Sequence, residues 1–321
     1  MTAVSGITPS GRLSLGNYLG ALRRFAEQDD EPGFYFVADL HAMTTRHDPG
    51  QLGRLTRETA LLLLASGMPE GSVFIQSAVP AHAQLAYLLE CTAYIGELSR
   101  MVQYKQKGDR PMTRASLFTY PCLMAADILL YGATRVPVGG DQDQHVELAR
   151  DLAARFNATY GQTFIVPELA RAQSAGRVGD LQTPTAKMNK SEPDQACGVL
   201  RMLDSPDVLR RKVMRAVTDS DGEVRHDADT KPGVTNLLEI LGACTGMEPV
   251  AAAAHYSSYG HLKKDTAEAV VALLEPVQQR YGALADDPKR VDELLEAGRQ
   301  RAAGFAAPRL ARAMAAAGLK G

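Results

Sequence analysis

The run Phe34-Tyr35-Phe36-Val37 limits what this chain can fold into more than any other stretch. Its apolar residues stand in succession with no polar residue between them, so both faces of the segment need covering. A strand with one wet face alternates polar and apolar residues, whereas a strand buried on both faces does not. Val73-Phe74-Ile75 and Val136-Pro137-Val138 repeat the pattern. Amphipathic helical sequence lies around them: roughly Asn17 to Gln28, then Gln51–Ser66, which is closed by Gly67 with Pro69 beyond, then a helix opening at Pro80. Strands alternating with helices at this rhythm predict an α/β chain built on a doubly wound parallel sheet.

In such sheets ligands sit beyond the carboxyl ends of the strands, so the residues after each strand are the ones to read for chemistry. The stretch from Gly6 to Gly20 reads as a strand end, a Gly/Pro/Ser turn and a helix mouth with Gly16-Asn17 in it. Exposed N–H groups at a helix start make a ready anion site, although an ordinary strand-to-helix turn looks the same. Asp39–Thr44, with His41 inside it, follows the second strand. Val136-Pro137-Val138 runs straight into Gly139-Gly140-Asp141-Gln142, a second glycine turn at a strand-to-helix junction, with a helix over Gln144–Asn157 beyond it.

Thr119–Leu130 reads as an apolar helix with one carboxylate, Asp127, inside it. A buried aspartate without donors is costly, so Asp127 needs hydrogen bonds from neighbouring protein groups or from a ligand, and the residues alone leave both open. A Gly/Ser/Pro-rich segment, Arg171–Ala186, leads to Lys187-Met188-Asn189-Lys190-Ser191, where two lysines on a loop can converge on a polyanion or simply face water. Two basic faces are expected. Arg100, Lys105, Lys107, Arg110 and Arg114 oppose only Asp109, and Arg201, Arg210, Arg211, Lys212 and Arg215 outnumber Asp204 and Asp207. A phosphate-rich partner or a solvated helix face accounts for either.

From Asp204 onward the chain reads as purely helical, ending in two helices over Val291–Gly304 and Pro308–Ala317. Its 321 residues exceed the usual single domain, and a 45% hydrophobic content supports a large core. The formal net charge of -2 excludes wholesale coating of nucleic acid. The 4 cysteines are widely spaced, which suits reduced thiols better than a disulfide framework or a zinc site. Structure is expected from the first residues, with no signal peptide and no membrane span. A soluble protein of the cytoplasm is the expectation.

Taken in order, these pieces resemble a known family. Ser14-Leu15-Gly16-Asn17 stands where class I aminoacyl-tRNA synthetases carry their first signature, and Lys187-Met188-Asn189-Lys190-Ser191 where they carry the second. Pro137-Val138-Gly139-Gly140-Asp141-Gln142 matches a third nucleotide-site element, with Tyr120–Leu129 in between. The chain is similar to the bacterial tryptophanyl-tRNA synthetases along essentially its whole length. The resemblance implies a Rossmann-type nucleotide-binding domain over residues 1–185 and about 286–321, and a smaller all-helical, anticodon-binding domain over 186–285. It implies ATP, L-tryptophan and tRNA(Trp) as partners, Mg²⁺ carried on the ATP phosphates rather than by a protein metal site, no tightly bound cofactor, and a homodimer with Ser77–Arg100 at the interface.

Residue by residue, the resemblance places ATP against Thr8, Pro9, Ser10, Gly16, Asn17, Gly139, Gly140, Asp141, Val178, Lys187, Met188, Asn189, Lys190 and Ser191. Lys187, Lys190 and Asn17 would carry the catalytic charge stabilisation. Tryptophan would meet Asp127, Tyr120, Met124, Gln142, His41, Val4 and Val138, with Asp127 accepting from the indole N–H. Some positions depart from the family pattern: Thr8 for glutamine, Ser14 for threonine, Gly140 for glutamate and Asn189 for serine. These departures imply altered handling of ATP and raise the hypothesis of an auxiliary, inhibitor-tolerant enzyme. A tyrosyl-tRNA synthetase is the nearest rival, but a phenol would want a second polar partner, and Met124 and Ile128 flank a single Asp127.

Overall fold

The computed structural model describes residues 3–26, 33–108, 112–138, 143–171, 178–190, 192–193 and 195–319. Strands β1 (Val4–Ile7), β2 (Phe34–Val37) and β3 (Val73–Ile75) form a parallel sheet in that order. Val4 lies opposite Phe34 and Ile7 opposite Val37, while Tyr35 lies opposite Val73. A second parallel pair joins β4 (Arg135–Val138) to β5 (Glu168–Arg171). Each apolar run read from the sequence is a strand. The β5 strand was not anticipated, because Glu168-Leu169-Ala170-Arg171 carries no β-branched residue and gains strand form only by pairing with β4.

Successive strand residues point to opposite faces, and both faces of the sheet are covered. Val4, Phe34, Phe36 and Phe74 pack with residues of α2 (Ala81–Glu90), α3 (Ser116–Leu129) and α4 (Asp143–Tyr160), among them Leu85, Ala126 and Leu152. Ile7, Tyr35, Val37 and Val73 pack on the other side with α1 (Pro49–Ala65) and with the later helices α6 (Pro232–Thr245) and α7 (Tyr259–Ala285). The Asp48 carboxylate caps α1 by accepting from the Gln51 N–H at 2.7 Å, and Pro49 starts the helix where its missing N–H costs nothing. The first helical stretch is less regular than expected: a turn at Leu15–Asn17, a π-helical turn at Tyr18–Leu22, and α-helix at Arg23–Ala26.

The C-terminal sequence forms one helix, α8 (Pro288–Ala316), where two were expected. Pro308 removes one helical hydrogen bond, and its ring crowds the carbonyl of residue 304. Burial of Ala302, Ala306, Leu310 and Ala313 against the sheet layer offsets that cost. The crossing is close: a Cβ on Gly298 would lie 1.9 Å from the Val73 carbonyl oxygen. Arg301 stacks 4.2 Å from the Phe34 ring centroid and donates to the Gly33 carbonyl at 2.8 Å.

The second basic face is also corrected. Arg201 and Lys212, the latter on α5 (Pro206–Met214), are buried, and Arg210 is paired with Glu268 at 2.8 Å. What remains outside is Arg211 and Arg215, beside a cavity of about 390 Å³. Among the described residues, no helix is long and apolar enough to cross a membrane.

Candidate active site

The carboxyl ends of β1 and β2 lie side by side, tied by the Ala38 N–H donating to the Ile7 carbonyl at 3.0 Å. From β1 the chain turns through Thr8-Pro9-Ser10. Ser14 then caps the first helical turn. Its N–H and its hydroxyl both lie 3.0 Å from Asn17 Oδ1. Because a backbone N–H must meet an acceptor, this contact fixes which end of the Asn17 carboxamide is oxygen. The Asn17 amide nitrogen has no hydrogen-bond partner among the described residues and can donate to an anion at the helix mouth.

The lysine loop faces that mouth. Gly179 pairs antiparallel with Lys187, and the Met188 N–H donates to the Val178 carbonyl at 3.2 Å. Val178 and Met188 are both buried in one cluster. A Cβ on Gly16 would lie 3.7 Å from the Met188 carbonyl oxygen, so the two signature segments are in contact. Lys190 Nζ donates to the Thr8 carbonyl at 2.6 Å, and burial lowers its pKa to about 8. A cation whose desolvation depresses its pKa in this way is poised for an anionic ligand. Lys187 is exposed with no side-chain partner among the described residues, and Asn189 is exposed.

Asp127 occupies a second, drier place. It is 4% exposed on α3, and its Oδ1 accepts from Gln76 Nε2 at 2.7 Å and His82 Nδ1 at 2.6 Å. His41 Nε2 donates to Oδ2 at 2.8 Å. His82 Nδ1 must carry the proton it gives to the carboxylate, so in the neutral ring Nε2 accepts from the Tyr131 hydroxyl at 2.7 Å. Burial pushes the Asp127 carboxyl up, but the hydrogen bonds and charges of His41 and His82 outweigh it and hold the group below the ordinary carboxylate range. An ionised carboxylate offers about four acceptor directions. Gln76 and His82 share Oδ1, while Oδ2 serves only His41 among the described residues and keeps a direction for another donor.

Other residues expected to meet tryptophan lie on α3, β1 and β4. The Tyr120 ring lies 6.1 Å from that of His41, edge on, and its hydroxyl lies 2.5 Å from His145 Nε2; burial raises the phenol's pKa. Met124 is partly buried one turn before Asp127, and Val4 is buried in the same cluster. Val138 ends β4. Gly139, Gly140, Asp141, Gln142 and Ser191 lie outside the described residues. The structure therefore brings Thr8 to Lys190, Gly16 to Met188 and His41 to Asp127, with the Tyr120 ring edge on to that of His41. Gln76, His82, Tyr131 and His145 were missed. Gln76 directly follows β3, so reading past the end of that strand as past the others would have found it; the other three carry no local signal.

Residues 1–275 match the family of tRNA synthetases class I (W and Y). Over 98% of its length and 98% of the relative's, the chain is 53% identical to "Tryptophan--tRNA ligase 1" of Streptomyces avermitilis. The chain belongs to the class I tryptophanyl-tRNA synthetases. It is also 47% identical to the tryptophan–tRNA ligase of Clostridium perfringens over 93% of this chain and 91% of the other. Among solved structures, the tryptophanyl-tRNA synthetase of Mycoplasma pneumoniae superposes with a TM-score of 0.88 at 36% identity, covering 99% of this chain and 97% of that one. That of Campylobacter jejuni, complexed with ADP and tryptophan, gives 0.85 at 30% identity, covering 99% and 100%. This synthetase is a tryptophan–tRNA ligase: it activates L-tryptophan with ATP, releasing diphosphate, and transfers it to the 3′ end of tRNA(Trp).

Proposed function

We propose that the two places described above are the two halves of the activation site. Thr8, Pro9, Ser10, Gly16 and Asn17 form one wall for ATP, with Val178 and the Lys187–Ser191 loop opposite and Gly139-Gly140-Asp141 completing it. The attacking carboxylate of tryptophan is already ionised, so the step needs no general base. The enzyme's work is positioning and charge stabilisation. Asn17 Nδ2 and the helix mouth donate to phosphate oxygens, and Lys187 and Lys190 neutralise the departing diphosphate. Among the described residues Lys190 pairs with no carboxylate while it rests on the Thr8 carbonyl, so its charge suits a phosphate.

ATP arrives with Mg²⁺. The side chains at the mouth are lysine, asparagine and serine, which suits a metal liganded by phosphate oxygens and water. Tryptophan binds on α3, with Asp127 Oδ2 accepting the indole N–H and Met124, Val4, Val138 and His41 bordering the ring. Tyr120 and Gln142 lie toward the α-amino group. Residues 1–185 with 286–321 carry this chemistry, and residues 186–285 meet the anticodon. The protein works as a cytoplasmic homodimer, paired through the Ser77–Arg100 region.

The observation that carries this reading is an ionised aspartate inside an apolar helix, with one oxygen shared by two protein donors and the other left with room for a third. Indole N–H is only a donor, so a fixed carboxylate is its matching acceptor. Aminoacylation of total tRNA with labelled tryptophan tests it on the wild type and Asp127→Ala. The variant is expected to lose or relax tryptophan selection while ATP binding is kept; unchanged selection contradicts the reading.

A further inference from the structure

One buried cation has no part in that mechanism. Arg201 is 1% exposed, in a segment whose charges looked from the sequence like a surface. Its Nη1 donates to the Arg12 carbonyl at 2.7 Å and the Lys190 carbonyl at 2.9 Å. Its Nη2 donates to the carbonyls of Glu192 at 2.6 Å and Pro193 at 3.3 Å. The arginine is itself held: its backbone N–H donates to Asp204 Oδ2 at 2.9 Å, and that carboxylate pairs with Lys212 Nζ at 2.8 Å. On either side of it, the Leu200 carbonyl accepts from the Leu15 N–H at 2.8 Å, and the Met202 N–H donates to the Leu13 carbonyl at 2.9 Å.

We propose that Arg201 is a positioning residue for adenylate formation: one guanidinium clasps the lysine loop to the turn before Asn17 and so sets Lys190 against the phosphates. The inference rests on the reading that Lys187 and Lys190 meet ATP. A guanidinium presents donors in a rigid plane, so it fixes four carbonyls from two chain segments relative to one another. A lysine ammonium is a point charge on a mobile stem and cannot. Lys190 is then located at both ends by the first signature segment, through its carbonyl by way of Arg201 and through Nζ on the Thr8 carbonyl. Misplacing a charged group by about 1 Å costs on the order of 10²-fold in rate.

The test is ATP–diphosphate exchange by Arg201→Lys and Arg201→Ala, beside tryptophan binding without ATP. The chain contains 0 tryptophans, so the ligand's own indole fluorescence reports binding with no indole signal from the protein. Both variants are expected to hold tryptophan within about twofold of the wild-type Kd. Exchange kcat should fall by about ten- to a hundredfold, and millimolar guanidinium should restore part of it to Arg201→Ala. Wild-type exchange by Arg201→Lys overturns the clasp. So do parallel losses of tryptophan binding and rate, which mean a merely structural role. Amide hydrogen exchange of the unaltered protein decides the matter if neither variant folds: residues 188–193 should open together with 12–16, and independent opening overturns the clasp. Lys190→Ala separates the two levels, because unaltered exchange there overturns the loop's role in ATP binding, and the clasp with it.

Discussion

Asp127 and Lys190 carry opposite charges away from water, and the protein treats them in opposite ways. Asp127 is held ionised by donors, so its folded pKa is lowered. A lowered carboxyl contributes stability above the ordinary carboxylate pKa of about 4 and loses it as pH falls through the folded value. Asp127→Asn removes the charge and turns an amide donor toward donors already in place. It should cost about 3–5 kcal/mol, read by chemical denaturation. An unchanged midpoint would mean that Gln76 and His82 do not depend on the charge. Lys190 is lowered from 10.5 to about 8 by burial. Between those values the unfolded chain binds more protons than the folded one, so this lysine's contribution to stability rises with pH across that window. On the proposed reading ATP meets the charged form, so KM for ATP should climb as pH passes 8, and Lys190→Met should remove both dependences. At this scale the sequence showed Asp127 as needing donors, through its apolar helix. It did not show His82 or Tyr131, since nothing near His82 says that it faces a carboxylate 45 positions away, and nothing near Tyr131 says that its hydroxyl meets a histidine 49 positions away.

Among the elements, legibility followed how much of a segment's conformation its own residues decide. The β2 and β3 strands could be read from apolar runs that suit only a doubly covered strand, and α1 from its Asp48 cap and its Gly67 stop. The β5 strand could not, because its form depends on a neighbour 33 positions away in register, Glu168 against Arg135. The α8 helix was divided at Pro308 because local propensity argues for a break there and tertiary burial overrides it. Two substitutions in α8 test how it lies. Gly298→Ala places a Cβ against the Val73 carbonyl, so backbone must shift, at about 1–3 kcal/mol. Gly304→Ala meets nothing within 4 Å and should stabilise by about 0.5–1 kcal/mol. Equal effects on the denaturation midpoint would contradict the close crossing.

In the whole molecule, the sheet divides the apolar interior into two clusters, and α8 joins them: Val291 and Leu295 pack into one, Ala302 and Leu310 into the other. The returning helix ties the chain's end to the starts of β2 and β3, which sequence periodicity had no means to locate. The same packing sorts the thiols. Cys91 and Cys197 are exposed, whereas burial pushes the Cys122 and Cys244 thiols up to about 12. A thiol reagent at neutral pH should modify Cys91 and Cys197 rapidly in the native protein and the other two only on unfolding. Fast loss of Cys122 would contradict the packing of α3 on α2.

In the proposed tryptophan site a preset carboxylate reads the indole N–H. Binding of tryptophan against its benzothiophene analogue, which keeps the shape and lacks the N–H, tests it most directly. The wild type should prefer tryptophan by about 10²-fold, the worth of one hydrogen bond to a buried charge, and Asp127→Ala should bind the two nearly alike. Equal binding of both ligands by the wild type would contradict the account.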